Sequence, residues 1–76
     1  MNKNDREELS ATINGIQGFV DELRGFADAE REKYNNLSEG LQASERGQRY
    51  EEIADCIESA ADTIEEALGD LDECFE

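Results

Sequence analysis

The feature that most constrains this chain is a heptad repeat of apolar residues in its last third. The repeat consists of Tyr50, Ile53, Ile57, Ala60, Ile64, Ala67, Leu71 and Cys74, at alternating spacings of three and four. A second column, one step round the helix, consists of Ala54, Ala61, Leu68 and Phe75. Because an α-helix has 3.6 residues per turn, this pattern predicts a helix with one broad apolar face, as in a helical bundle.

The same segment is strongly acidic. Residues 50–76 contain eleven acids and no base, whereas residues 1–49 contain ten acids and all seven bases. Blocks of like charge with few aromatic residues are usually disordered, but a disordered segment is not expected to keep an unbroken heptad register. We therefore predict an acidic helix here rather than an acidic tail.

The first half has a second heptad repeat with lower contrast. It consists of Leu9, Ile13, Ile16, Val20, Leu23 and Ala27, with Phe19 and Phe26 beside it. Asn4 and Asp5 are the expected N-caps, since each has a glutamate three residues later. Gly15, Gly18 and Gly25 weaken this helix by about 0.5–1 kcal/mol each relative to alanine, and they leave open a bend or a docking site.

The turn-forming residues cluster between the two repeats. We predict one helical domain over residues 1–76, with a first helix over about 5–34, a connection over about 35–44 and an acidic helix over about 45–74. A connection this short makes the helices antiparallel. The expected fold class is all-α, an antiparallel helical hairpin.

Four residues of the connection have expected roles. Ser44 is the expected cap of the acidic helix, and a short helical turn starting at Ser38 is the alternative. Leu37 and Leu41 are expected to cover the end of the bundle at which the connection lies.

Two helices cannot cover each other's apolar faces when both faces are this wide, so we expect the hairpin to dimerise into a four-helix bundle. A monomeric hairpin and a longer assembly are the alternatives. The expected core and dimer seam consists of Ile13, Ile16, Val20, Leu23, Tyr50, Ile53, Ile57, Ile64, Leu68 and Leu71.

The charge and the missing residue types exclude several function classes. A net charge of -14 repels phosphate backbones and anionic lipid, so we expect neither direct nucleic-acid binding nor membrane binding. The chain has no histidine, and its acids fall on the outer side of the predicted helices, so we expect no metal, no cofactor, no catalytic residue and no enzymatic activity.

The two cysteines are expected to be reduced. Cys56 and Cys74 are 18 residues apart on one predicted helix, or roughly 27 Å, which is too far for a disulfide within one chain. Cys74 is expected to be a small core residue and Cys56 to lie beside the seam. The polar N-terminus and the lack of a long apolar run favour a cytoplasmic location.

The acidic helix has a charge spacing close to that of nucleic acid. Eleven charges over 27 helical residues give one charge per ~3.7 Å of axis, against one per ~3.4 Å along a DNA strand. Such a row of carboxylates is suited to a groove rich in lysine and arginine; a purely solubilising face is the alternative. The expected partner-binding residues are Glu51, Glu52, Asp55, Glu58, Asp62, Glu65 and Glu66.

The connection and the start of the acidic helix carry a resemblance. The run Tyr34-Asn35-Asn36-Leu37-Ser38-Glu39-Gly40-Leu41-Gln42-Ala43-Ser44-Glu45, followed by Tyr50-Glu51-Glu52-Ile53-Ala54-Asp55, resembles a tail found in many short uncharacterised bacterial, phage and prophage proteins. The resemblance covers roughly residues 30–76, with Ser38 where proline is more usual. It implies a phage or mobile-element origin, and it assigns no residue a role.

Two functions follow as expectations. The first is a small phage-type protein in the bacterial cytoplasm that inhibits a host defence protein, of the anti-CRISPR or anti-restriction type, by occupying its basic nucleic-acid groove. The alternative is a structural or assembly module whose apolar seam is the functional surface. Salt separates them, because ionic strength weakens contacts between charges far more than apolar contacts.

Overall fold

The computed structural model describes residues 1–75, which form a helical hairpin about 59 Å long and 15 Å by 13 Å across. Helix α1 spans Lys3–Asn35, the short α2 spans Glu39–Gln42, and α3 spans Glu45–Glu73. No strand occurs in residues 1–75, so the predicted all-α class is confirmed.

The two long helices pack against each other in opposite directions. Arg24 of α1 pairs with Asp62 and Glu65, while Arg31, further along α1, pairs with residues earlier in α3. The partner positions fall as the α1 positions rise, which is the signature of an antiparallel pair. The predicted helical hairpin is therefore confirmed.

The caps of the long helices are only partly those expected from the sequence. The N-cap of α1 is Asn2, whose side-chain oxygen accepts a hydrogen bond from the Asp5 backbone N–H at 2.8 Å. Asn4 and Asp5, the expected caps, lie inside the first turn, because Asn2 offers an equivalent cap one turn earlier. Ser44 caps α3 as expected, accepting from the Gly47 N–H at 3.4 Å.

Each long helix buries one line of residues spaced seven apart. The line in α1 consists of Ile13, Val20 and Ala27, and the line in α3 consists of Gly47, Ala54, Ala61 and Leu68. Ala54 and Ala61 are completely buried, so α3 packs on α1 through the column that the sequence placed beside its seam. Alanine at these positions lets the two backbones approach closely, since no long side chain stands between them.

The expected seam of α3 consequently lies to one side of the contact. Tyr50, Ile53, Ile57 and Leu71 are half-buried, and Ile64 is 37% exposed. The expectation that Cys74 is a core residue is wrong.

Cys74 lies at the C-cap of α3, exposed, and its thiol donates to the Asp70 carbonyl at 3.4 Å. Cys74 lies about 120° round the helix from the buried Leu68, whereas Phe75, next along the chain, lies near the buried line and is half-buried, so the Cys74 thiol points away from α1. Cys56 is exposed as well.

The connection folds into α2, the short helical turn that follows Ser38, and this turn packs on the start of α3. Leu37 is half-buried, but Leu41 is 53% exposed and does not close the end of the hairpin. Gly47 makes the packing possible, because a Cβ at this position would collide with the backbone carbonyl oxygens of Leu41 and Gln42.

We predict opposite effects for Gly47→Ala and Gly18→Ala. Alanine in a helix interior normally stabilises by about 0.5–1 kcal/mol over glycine, and a Cβ at Gly18 meets nothing within 4 Å, so the second variant should raise Tm. Gly47→Ala should lower Tm, because the clash with α2 outweighs that gain. Thermal unfolding followed by circular dichroism tests both, and equal stabilisation by the two variants would contradict the close contact.

Candidate interaction surfaces

The hairpin has two unlike sides because the residues beside each buried line differ in chemistry. Helical residues advance by 100° each, and in an antiparallel pair the corresponding flanks of both helices meet on the same side. One side, which we call the acidic face, consists of Asp21, Asp28, Glu51, Asp55, Glu58, Asp62 and Glu65, with Arg24 and Arg31 among them. The other side, the apolar face, consists of Ile16, Phe19, Leu23, Phe26, Ile53, Ile57, Ala60, Ile64, Ala67 and Leu71.

Arg24 joins α1 to α3 at the middle of the acidic face. Its Nη1 donates to Glu65 Oε2 at 2.6 Å and its Nη2 donates to Asp62 Oδ1 at 3.0 Å. Gln17 also donates to the same Glu65 oxygen at 3.2 Å, and to Asp21 at 3.4 Å. Two carboxylates of α3 are therefore held in fixed positions by side chains of α1.

Arg31 makes the equivalent connection nearer the loop. It contacts Glu58 through Nη2, and the same nitrogen lies 3.3 Å from Asp55 Oδ1. On its own helix, Asp28 lies 3.8 Å from Arg31 Nη1. The two arginines are seven residues apart, so the connections repeat every second turn along one edge of the hairpin.

The pKa values of these groups shift in the direction expected of ion pairs. Hydrogen bonds with Asp62 and Glu65 raise the pKa of Arg24, and hydrogen bonds with Glu58 and Asp55 raise that of Arg31. Arg24, with a smaller contribution from Gln17, lowers the pKa of Glu65. These charges stabilise the hairpin, although they remain open to solvent and to screening by salt.

The structure divides the expected partner-binding residues into three groups. Asp55, Glu58, Asp62 and Glu65 hold the two arginines of α1, and Glu52 lies 3.8 Å from Arg49 on its own helix. Glu51 and Glu66 are exposed and make no ion pair within residues 1–75.

The sequence reasoning missed that α1 contributes to the acidic face. Asp21 and Asp28 stand seven residues apart on the flank of α1 that carries Arg24 and Arg31. The signal was present in the sequence, since each arginine follows an aspartate by three residues and this pair repeats after seven, but it was hidden by the lower charge contrast of the first half.

The apolar face lies open. Phe19 is 67% exposed and Phe26 is 65% exposed, and the exposed Ile64 lies on the α3 half of the same side. In the registers that form this face, residues 13–29 of α1 and 50–74 of α3 contain no charged residue. Large exposed apolar patches of this kind are typical of protein interaction sites.

Basic residues are concentrated at the loop end of the apolar face. Lys33 and Arg46 lie over the Tyr50 ring, 5.9 Å and 5.8 Å from its centre, and Arg46 Nε donates to the Tyr50 hydroxyl at 3.2 Å. Arg49 follows one turn after Arg46. Glu30 raises the pKa of Lys33 through a hydrogen bond at 2.8 Å.

Within residues 1–75 no group of three or more potential ligand side chains is placed to hold a metal ion. Over the same range, no helix combines the length and hydropathy that a membrane span requires. A surface depression beside Phe26 is lined by Glu22, Gly25 and Ala29.

No family model matches the chain, and no curated protein or solved structure matches it significantly.

We predict that Arg24→Gln lowers Tm at pH 7 and that Lys3→Gln changes it little. Both variants remove one positive charge, but only Arg24 connects the two helices, whereas Lys3 is exposed at the start of α1 and makes no ion pair within residues 1–75. Thermal unfolding of the wild type and both variants measures the difference. Equal Tm values for the two variants would show that the connection contributes nothing.

The effect of Arg24→Gln should also depend on pH. The pKa of Glu65 is lower in the folded chain than in the unfolded chain, so this stabilisation is complete above the ordinary glutamate pKa and is lost as pH falls through the lowered value. The Tm difference between wild type and variant should therefore shrink below about pH 4. A difference that is unchanged at pH 3 would contradict the role of the Glu65 carboxylate.

Proposed function

We propose that this protein is a non-enzymatic interaction module whose apolar face is its functional contact surface, and that two copies close into a four-helix bundle through that face. The observation that carries the proposal is the exposure of Phe19 and Phe26 in the central part of the apolar face, where no charged residue occupies its registers between residues 13–29 of α1 and 50–74 of α3. A single hairpin leaves both rings in water, at a cost that burial against a second apolar surface removes.

The size of the apolar face supports self-association. One whole side of the hairpin, 59 Å long and 15 Å wide, offers about 900 Å², and stable interfaces bury about 800 Å² per partner. The apolar face, from Ile53 to Leu71 on α3, covers roughly half of this length, so the charged ends of the side complete the contact. The half-buried and exposed isoleucines of α3 supply the aliphatic half of the contact, and α1 supplies the aromatic half. Four long helices packed in this way have the usual architecture of a bundle.

The charge distribution supports the same face. Each copy carries a net charge of -14, so two copies repel unless their acids stay far apart. Contact through the apolar face leaves the two acidic faces on opposite outer surfaces. Contact through the acidic face would instead bring at least seven carboxylates of each copy together.

We predict that Phe19→Gln/Phe26→Gln abolishes self-association. The wild type should have twice the 8.5 kDa mass of one chain, and the double variant should have the mass of one chain. Asp21→Gln/Asp28→Gln is the matched control, since it changes two residues seven apart on the opposite side of the same helix. Size-exclusion chromatography with light scattering gives the masses, and circular dichroism checks that all chains stay helical.

A wild type that is monomeric at all concentrations, or a phenylalanine variant that still dimerises, would contradict the proposal. So would loss of the dimer in the aspartate control, because its substitutions lie outside the apolar face.

The second candidate function is nucleic-acid mimicry by the acidic face, as in a phage or mobile-element protein that inhibits a host defence protein in the bacterial cytoplasm. It is favoured by the ordered row of carboxylates, in which Arg24 and Arg31 hold four acids of α3 in place. A fixed array loses little conformational entropy when it binds a basic groove. The two arginines also neutralise part of the row, so Glu51 and Glu66 become the most available charges.

Charge removal at those two acids gives a sharper test than charge reversal at Asp55 or Asp62, which would also break the hairpin. We predict that Glu51→Gln/Glu66→Gln weakens binding to a basic partner several-fold without lowering Tm, because neither acid holds an arginine of α1. A partner captured from bacterial lysate at low salt is the reagent, and its affinity is measured by calorimetry at 0.05 M and 0.5 M salt, with and without competing DNA.

Mimicry requires that salt and DNA both reduce this binding. Binding that resists salt and is lost in Phe19→Gln/Phe26→Gln instead would assign the interaction to the apolar face.

A further inference from the structure

We infer that the loop end of each copy lies beside the open end of the other, where the open end is the one that holds the first residues of α1 and the last residues of α3. The loops then project from opposite ends of the bundle. The inference rests on the proposed self-association through the apolar face and adds the orientation of the partner. It follows from the charges at the two ends of that face.

The two ends of the apolar face carry opposite charge. Near the loop, Lys33 and Arg46 lie over the Tyr50 ring and Arg49 follows one turn after Arg46. Lys33 and Arg49 each pair with one acid, Glu30 and Glu52, whereas Arg46 makes no ion pair within residues 1–75, so this end keeps a net positive charge. Near the open end, the apolar side of α1 begins with Asp5 and Glu8. Three of the seven bases in the chain therefore lie at the loop end of the apolar face.

Face-to-face packing with twofold symmetry allows two arrangements. If the axis runs along the hairpin, both loops lie at the same end, and the three bases of each copy face the three bases of the other. The acids of the open ends then face each other as well. If the axis crosses the hairpin, each set of bases lies beside the acids of the other copy, which converts repulsion at both ends into attraction.

The positions along the bundle match the second arrangement. The centre of the apolar face on α1 lies midway between Phe19 and Phe26, at the level of residues 22–23. By helical rise, Asp5 and Glu8 lie roughly 20–26 Å from this level in one direction. The pairing of Arg31 with α3 fixes the level of Arg49 and Arg46. These two residues lie roughly 24–29 Å from the centre of the apolar face in the other direction. An axis through the centre brings these groups to the same level.

The orientation also decides how the acidic faces are displayed. With the loops at opposite ends, the two acidic helices α3 run in opposite directions on opposite outer surfaces. A partner that binds one acidic face then meets the same surface on the other side, turned end for end.

The decisive measurement is the distance between the two loops. A spin label at Ser38→Cys, in a chain with Cys56→Ser and Cys74→Ser, reports the loop-to-loop distance in the dimer by double electron-electron resonance. We expect about 40–50 Å, since each loop lies roughly 22 Å from the centre. A distance below about 25 Å would overturn the orientation while leaving the dimer intact. A light-scattering mass equal to that of one chain would overturn the proposed self-association itself, so the two failures can be told apart.

Charge exchange between chains gives an independent test. Arg46→Glu/Arg49→Glu should weaken self-association several-fold, and so should Asp5→Lys/Glu8→Lys. An equimolar mixture of the two variants should regain association, because one end of the mixed dimer then pairs with reversed sign. If the loops lay together, each variant alone would leave like charges facing like charges at both ends, so its self-association would not weaken, and that result would overturn the orientation.

Discussion

Two helices side by side can bury only one line of residues each, and the rest of this structure depends on that limit. In this hairpin the buried lines are short and narrow, with Val20 and Ala27 facing the alanines of α3. Apolar residues on either side of the lines have no cover from within the chain. The heptad repeats carry more apolar residues than one hairpin can bury, and the surplus collects on a single side because charged residues occupy the other.

The charged side determines which side is left apolar. Arg24 and Arg31 reach across to acids of α3, and these contacts are compatible with only one rotation of α3 about its axis. In that rotation Ala54 and Ala61 face α1, and the isoleucines turn towards the apolar face. Each exposed ion pair contributes little by itself. Acting together along one edge, the pairs fit the rotation that buries the alanine column, in which the two backbones can approach closely.

The sequence predicted what local periodicity controls, and it missed what depends on contacts between the helices. The sequence predicts the two long helices from the spacing of their apolar residues. It predicts the connection and the Ser44 cap from the turn-forming residues, and all of these signals are local in the chain. The burial of Ala61 rather than Ile64 does not follow from local signals, because both columns have heptad spacing and only contact with α1 distinguishes them. Cys74 was misplaced for the same reason: the heptad register extends to it, but the column that faces α1 is the one that contains Leu68, and Cys74 lies about 120° away from it.

The high charge and the open apolar face are two aspects of one arrangement. A chain with a net charge of -14 is kept from associating indiscriminately, because most approaches bring carboxylates together. In the dimer that we propose, contact is made on the side where that repulsion is weakest, and the basic loop end favours one orientation. Charge would then select against wrong contacts, while apolar burial would supply the affinity. If the roles are divided in this way, the acids influence which partner binds even where they make no contact with it.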